Sequence, residues 1–110
     1  MGTIQHASYT AWEQAYARVY AALPGPPPIV CPNCGVNALR TEFVGDVDIR
    51  MGWAAFWCGN CMFGITMSRV EVPDGVRIHD RKGSREERRK VIPNFTMVQP
   101  PEDPDLAGLT

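Results

Sequence analysis

Two histidines, His6 and His79, are all the imidazole this 110-residue chain has, and they stand far apart in sequence. No Ser/His/Asp or Cys/His arrangement can be drawn, and no glycine-rich phosphate loop follows a strand-like run. The chain is therefore expected not to be an enzyme. Excess charge is also missing: 11 Lys and Arg stand against 12 Asp and Glu, so the whole molecule exerts no net pull toward nucleic acid or anionic membrane. No apolar run approaches the ~20 residues that span a bilayer. "MGTIQHASYT" lacks a basic segment followed by an apolar one, so no signal peptide is expected. His6 stands where N-myristoylation calls for Ser or Thr, which argues against that anchor. The expected compartment is the cytoplasm, where thiols stay reduced.

Ten prolines and ten glycines divide what is present into short elements. Residues 10–23, "TAWEQAYARVYAAL", predict a helix. Thr10 and Glu13 stand in capping-box spacing, and Trp12, Tyr16, Val19 and Leu23 form one apolar stripe. "LPGPPP" ends it and continues as a stiff extended linker. From residue 37 to 72 the period changes to two. "ALRTEFV", "RMGWAAFW" and "FGITMSRVEV" predict three strands, with a turn at "GDVD" and another at "VPDGV"; "VRIHD" predicts a short fourth strand at an edge. Beyond residue 80, Ser84 and Glu87 predict a brief capped helix that Pro93 stops, followed by an acidic, proline-rich tail expected to lack regular structure.

Four cysteines stand out: Cys31, Cys34, Cys58 and Cys61, in the spacing C-x2-C-x23-C-x2-C. Two residues between cysteines let both thiolates of a pair point into one cup, and two facing cups supply four sulfurs at tetrahedral angles. Zinc suits four soft thiolates and needs no redox partner, so one structural Zn2+ per chain is expected. The gap of 23 residues has room for two strands and their turn.

"CPNCG", residues 31–35, resembles the zinc knuckle of the zinc-ribbon family, a rubredoxin-like class of small metal-bound β folds, and the resemblance covers residues 29–71. It implies an antiparallel sheet of about three strands clipped at one end by zinc. In the second pair, "CGNCM", Gly59 stands where the ribbon often has proline and Met62 where it usually has glycine. Rubredoxin-type iron uses the same four-sulfur cage, which makes electron transfer a distant alternative. Rubredoxins carry CPxCG at both pairs, however, and this chain does not.

The strand before the second pair is apolar on both sides. Met51, Trp53, Ala55 and Trp57 face one way, and Ala54, Phe56 and Cys58 the other. One set can join Leu39, Phe43, Phe63, Ile65 and Met67 in a ribbon core, while the other shares its face with Arg40, Glu42, Thr66 and Ser68. A small ribbon cannot bury both faces. The helical stripe is expected to fold back over the second face, leaving some aromatic surface (Trp53, Phe56, Trp57) for a partner.

The expected architecture is thus α+β. Residues 1–28 form a helix and proline-rich linker, 29–79 a small antiparallel zinc ribbon, and 80–110 a charged extension. The expected function is a non-enzymatic binding module, an adaptor or accessory subunit for another protein or for a second copy, with no small-molecule substrate. Nucleic-acid binding is the alternative. Arg81, Lys82, Arg85, Arg88, Arg89 and Lys90 outweigh Glu86 and Glu87 by +4 and could contact phosphates. Against that, no aromatic interleaves the run for base stacking, and Glu86 can pair internally with Lys90 four residues on. His79 is expected to face solvent.

Overall fold

The computed structural model describes residues 4–100. Among them are helices α1 (Tyr9–Ala22) and α2 (Arg85–Val91) and strands β1 (Leu39–Asp46), β2 (Met51–Cys58), β3 (Phe63–Glu71), β4 (Ile78–Asp80) and β5 (Thr96–Met97). Helix α1 begins before the predicted Thr10 cap, because Ser8 Oγ accepts the Ala11 N–H at 3.2 Å and Thr10 already lies within the first turn. Ser84 caps α2 as expected, its Oγ accepting the Glu87 N–H at 3.1 Å. No helix among the described residues is long and apolar enough to cross a membrane.

β1 and β2 form an antiparallel hairpin that runs from Leu39 opposite Cys58 to Asp46 opposite Met51. The Asp46 carboxylate turns the loop by accepting the N–H groups of Asp48 and Ile49, at 2.9 and 3.2 Å. Gly45 faces Gly52 where the two backbones close in, and a Cβ on either would lie 2.2 or 2.0 Å from a carbonyl oxygen of the other strand. β3 adds antiparallel to β2, with an irregularity between Gly52 and Ala54.

The expected purely antiparallel ribbon is corrected at both edges. The strand order is β4-β1-β2-β3-β5, with β4 parallel to β1 and β5 parallel to β3. The sheet is therefore mixed. Segment 72–77, between β3 and β4, is clamped by Arg50, whose guanidinium donates to the Pro73 and Val76 carbonyls at 2.9 and 2.5 Å. The chain from β4 to β5 must then travel from one edge of the sheet to the other.

The placement of α1 is a second correction. Register sets Phe43 opposite Ala54, Thr41 opposite Phe56, and Phe56 opposite Ile65, so the Phe56 side is the broad apolar face. The helix packs there. Trp12 and Tyr16 meet the Phe56 ring edge-on, at 5.6 and 5.7 Å between centroids, and Tyr20 reaches Phe43. The Tyr20 hydroxyl also donates to the Glu71 carbonyl. The opposite face, which the stripe was expected to cover, is served by the returning C-terminal segment: Phe95 stacks flat on Trp57, with centroids 5.6 Å apart. One core unites α1, the three long strands, Val72 and Val98.

Candidate metal centre

All four cysteines collect at the end of the sheet where Leu39 meets Cys58. Cys31 and Cys34 lie in the turn before β1; Cys58 closes β2, and Cys61 sits in the turn that leads to β3. Their four sulfurs lie within 4.8 Å of one another. Across the two turns, Cys31 Sγ is 3.8 Å from Cys61 Sγ, and Cys34 Sγ is 3.6 Å from Cys58 Sγ. A disulfide needs about 2.05 Å, so these are free thiols. Four sulfurs held ~2.3 Å from one ion at tetrahedral angles stand about 3.8 Å apart. The spacing fits a single tetrahedral ion.

The turns have the same backbone. Gly35 N–H donates to the Cys31 carbonyl at 2.9 Å, and Met62 N–H to the Cys58 carbonyl at 3.0 Å. Both residues adopt positive φ, 76° and 61°. Met62 therefore takes the left-handed place that glycine fills in the first turn. The Asn33 N–H points at Cys31 Sγ and the Asn60 N–H at Cys58 Sγ, each at 3.3 Å. Gly59, at the place Pro32 holds in the first turn, uses its N–H: it donates to the Ala38 carbonyl at 2.8 Å and ties the second turn to the first. Proline has no such donor.

Two asparagines that sequence reasoning passed over serve this centre. The Asn33 carboxamide oxygen accepts the N–H groups of His6 and Ala7, and its Nδ2 donates to the Ile4 carbonyl, which fastens the N-terminal segment to the first turn. The Asn60 Nδ2 reaches Cys34 Sγ at 3.5 Å. The clue was the repeated Asn directly before the second cysteine in both "CPNC" and "CGNC".

Without an ion the thiols differ. Burial pushes Cys31 up to about 12, and burial also raises Cys58. Burial opposes ionisation of Cys34 as well, but the Asn60 carboxamide, the Val36 backbone and the neighbouring thiols outweigh it and bring Cys34 down to about 6.

The other predicted site residues lie elsewhere. Phe56 is fully buried under α1, and Trp57 is 4 % exposed beneath Phe95, so neither offers a partner surface. Trp53 is 36 % exposed, and Met51, Ile49 and Val47, nearer the hairpin turn, are exposed as well. Arg81 and Lys82 follow β4, and Arg85, Arg88, Arg89 and Lys90 lie on α2. β4 pairs alongside Phe43–Gly45, toward the hairpin turn, so the fold does not bring the basic run to the cysteines. Glu86 and Lys90 form no ion pair; those among the described residues are Arg81–Asp46 and His79–Glu42. His79 does not face solvent as expected, because the parallel pairing of β4 sets it opposite Val44, and its Nε2 lies 2.8 Å from the Glu42 carboxylate.

Compared with protein-family models, curated proteins and solved structures, the chain matches none of them.

Proposed function

We propose that this chain is a recognition module of zinc-ribbon type, in which Cys31, Cys34, Cys58 and Cys61 hold one structural zinc ion and the sheet presents a rigid surface to another protein. The observation that carries the reading is the closure of four sulfurs, from two matched turns, to within 4.8 Å. Four thiolates fill a tetrahedral ion's coordination and leave no position for a substrate or a reactive water. Bound zinc would then contribute folding energy to a small sheet rather than chemistry. The exposure of Trp53, Met51, Ile49 and Val47, all within residues 47–53, supports a protein-binding role. Nucleic acid is the second reading, favoured by the exposure of Arg81, Lys82, Arg85, Arg89 and Lys90 on one stretch of chain.

Affinity capture with the tagged full chain, alongside elemental analysis of the same preparation, tests both parts. The expected result is one zinc per chain and a captured protein that Trp53→Ser releases without loss of zinc. Iron as the main metal, or no metal, contradicts the structural zinc. Capture dominated by nucleic acid that added salt disperses supports the second reading instead.

A further inference from the structure

The basic stretch does not simply coat the surface. β4 and α2 enclose a groove of about 430 Å³, with Arg77 and His79 on the strand side and Arg88 and Lys90 on the helix side. Ile78 and Val91 give it an apolar lining, and Asp80 and Glu87 also reach it. Glu42 engages His79, but Arg77, Arg88 and Lys90 enter no ion pair among the described residues. Residues 77–90 hold seven basic side chains against three acidic ones, a net +4 in a chain whose total is -1, so the remainder carries -5. Of these charges, Arg77, Arg88 and Lys90 line the groove with Asp80 and Glu87, while Arg81, Lys82, Arg85 and Arg89 lie on the same stretch of chain outside it.

We infer that this groove binds an extended acidic segment of a partner protein, one in which apolar side chains alternate with carboxylates. Three unpaired cations attract separate carboxylates, while Ile78 and Val91 accept the side chains between them. A continuous phosphate backbone fits less well. No aromatic side chain lines the groove to stack on a base. The inference rests on the protein-recognition reading and assigns a surface and a partner chemistry to it.

The test is fluorescence anisotropy on the zinc-loaded full chain. The probes are a short labelled peptide of alternating Glu, Asp and Leu, its carboxamide counterpart, and a single-stranded oligonucleotide of matched charge. The acidic peptide should bind, weaken with added salt, and beat both other probes. Arg88→Glu and Lys90→Glu, which line the groove, should each weaken it about tenfold. Arg85→Glu and Arg89→Glu make the same charge change outside the lining and should cost no more than about threefold. Zinc content and far-UV circular dichroism verify that each variant is folded. Equal losses from both pairs of variants would show a diffuse field and overturn the groove. Stronger binding of the oligonucleotide through Arg88 and Lys90 would overturn the acidic partner. If the peptide fails while Trp53-dependent capture persists, the groove falls and the recognition module stands; if both fail, the module falls too.

Discussion

The two cysteine turns, Cys31–Gly35 and Cys58–Met62, reach one backbone shape from different residues. Each makes the same hydrogen bond from the residue after the second cysteine back to the first, and each needs that residue at positive φ. The first turn meets the requirement with glycine, which adopts that conformation at little cost. The second meets it with methionine and stays in place because Met62 is doubly used: its carbonyl accepts the Thr96 N–H at 2.7 Å, which pins β5 to the sheet. Proline stiffens the first turn, while the second needs the N–H of Gly59 to reach Ala38. The asparagines diverge in the same way. Asn33 looks outward to the N-terminal segment, and Asn60 inward to a sulfur. What a turn that aims two thiols at one point must keep physically is a conformation and a set of N–H directions. The side chains are free to take on whatever each turn's neighbours require.

If the turns are equal partners in holding metal, losing either should be equally severe. Cys31→Ser and Cys58→Ser should each abolish stoichiometric zinc and unfold the sheet, since a structural site contributes on the order of 10 kcal/mol to folding. Circular dichroism and metal analysis check this. A Cys31→Ser chain that stays folded while Cys58→Ser does not would make the second turn dominant.

The asparagines should separate the turns. Asn33→Ala strands the Ala7 N–H and releases residues 4–7, at a cost of about 2 kcal/mol by denaturant unfolding. Asn60→Ala should cost less than about 1 kcal/mol, because it is exposed and loses one weak N–H···S contact. Acid should reverse the order. Cys34, drawn to about 6 from the ordinary 9.0 although burial works against it, contributes stability that is present above 9.0 and lost as pH falls through about 6. Zinc held by four thiolates is lost in the same direction. Asn60→Ala should therefore release zinc at higher pH than the unmodified chain, and Asn33→Ala should not, as followed with a chromogenic chelator.

Smaller effects sharpen the backbone comparison. Gly59→Pro removes the bond to Ala38 and should cost about 1 kcal/mol, while Pro32→Gly loses only chain stiffness, about 0.5 kcal/mol. Gly35→Ala should destabilise by about 1 kcal/mol from conformation alone, since an added Cβ there meets nothing within 4 Å. Met62→Gly should cost nothing or stabilise by up to about 0.5 kcal/mol, because relief of the left-handed methionine opposes the added freedom of glycine. A clear loss at Met62 would mean that its side chain matters more than its φ.

How much of this was legible followed the range of each interaction. The cysteine cluster, the three long strands and the Ser84 cap announce themselves through local spacing. Period two also separated the two faces of β2 correctly. It could not say which face α1 would choose, because that depends on register: Phe43, Phe56 and Ile65 become one surface only when β1 and β3 align on β2. β5, two residues long and held by parallel pairing with β3, has no local signature. The same holds for Phe95 on Trp57 and for His79 beside Glu42, pairs made by chain crossings rather than by pattern. Asn33 was readable in principle, as half of the C-x-N-C echo, but its partners Ile4, His6 and Ala7 lie far away in sequence.

The most direct test of the central claim is X-ray absorption at the zinc edge on the purified full chain. Four sulfur neighbours at about 2.3 Å, and no lighter ligand, is the predicted first coordination sphere. A sphere of three sulfurs with a nitrogen or oxygen, or a chain that carries no zinc, would contradict a closed site built by Cys31, Cys34, Cys58 and Cys61.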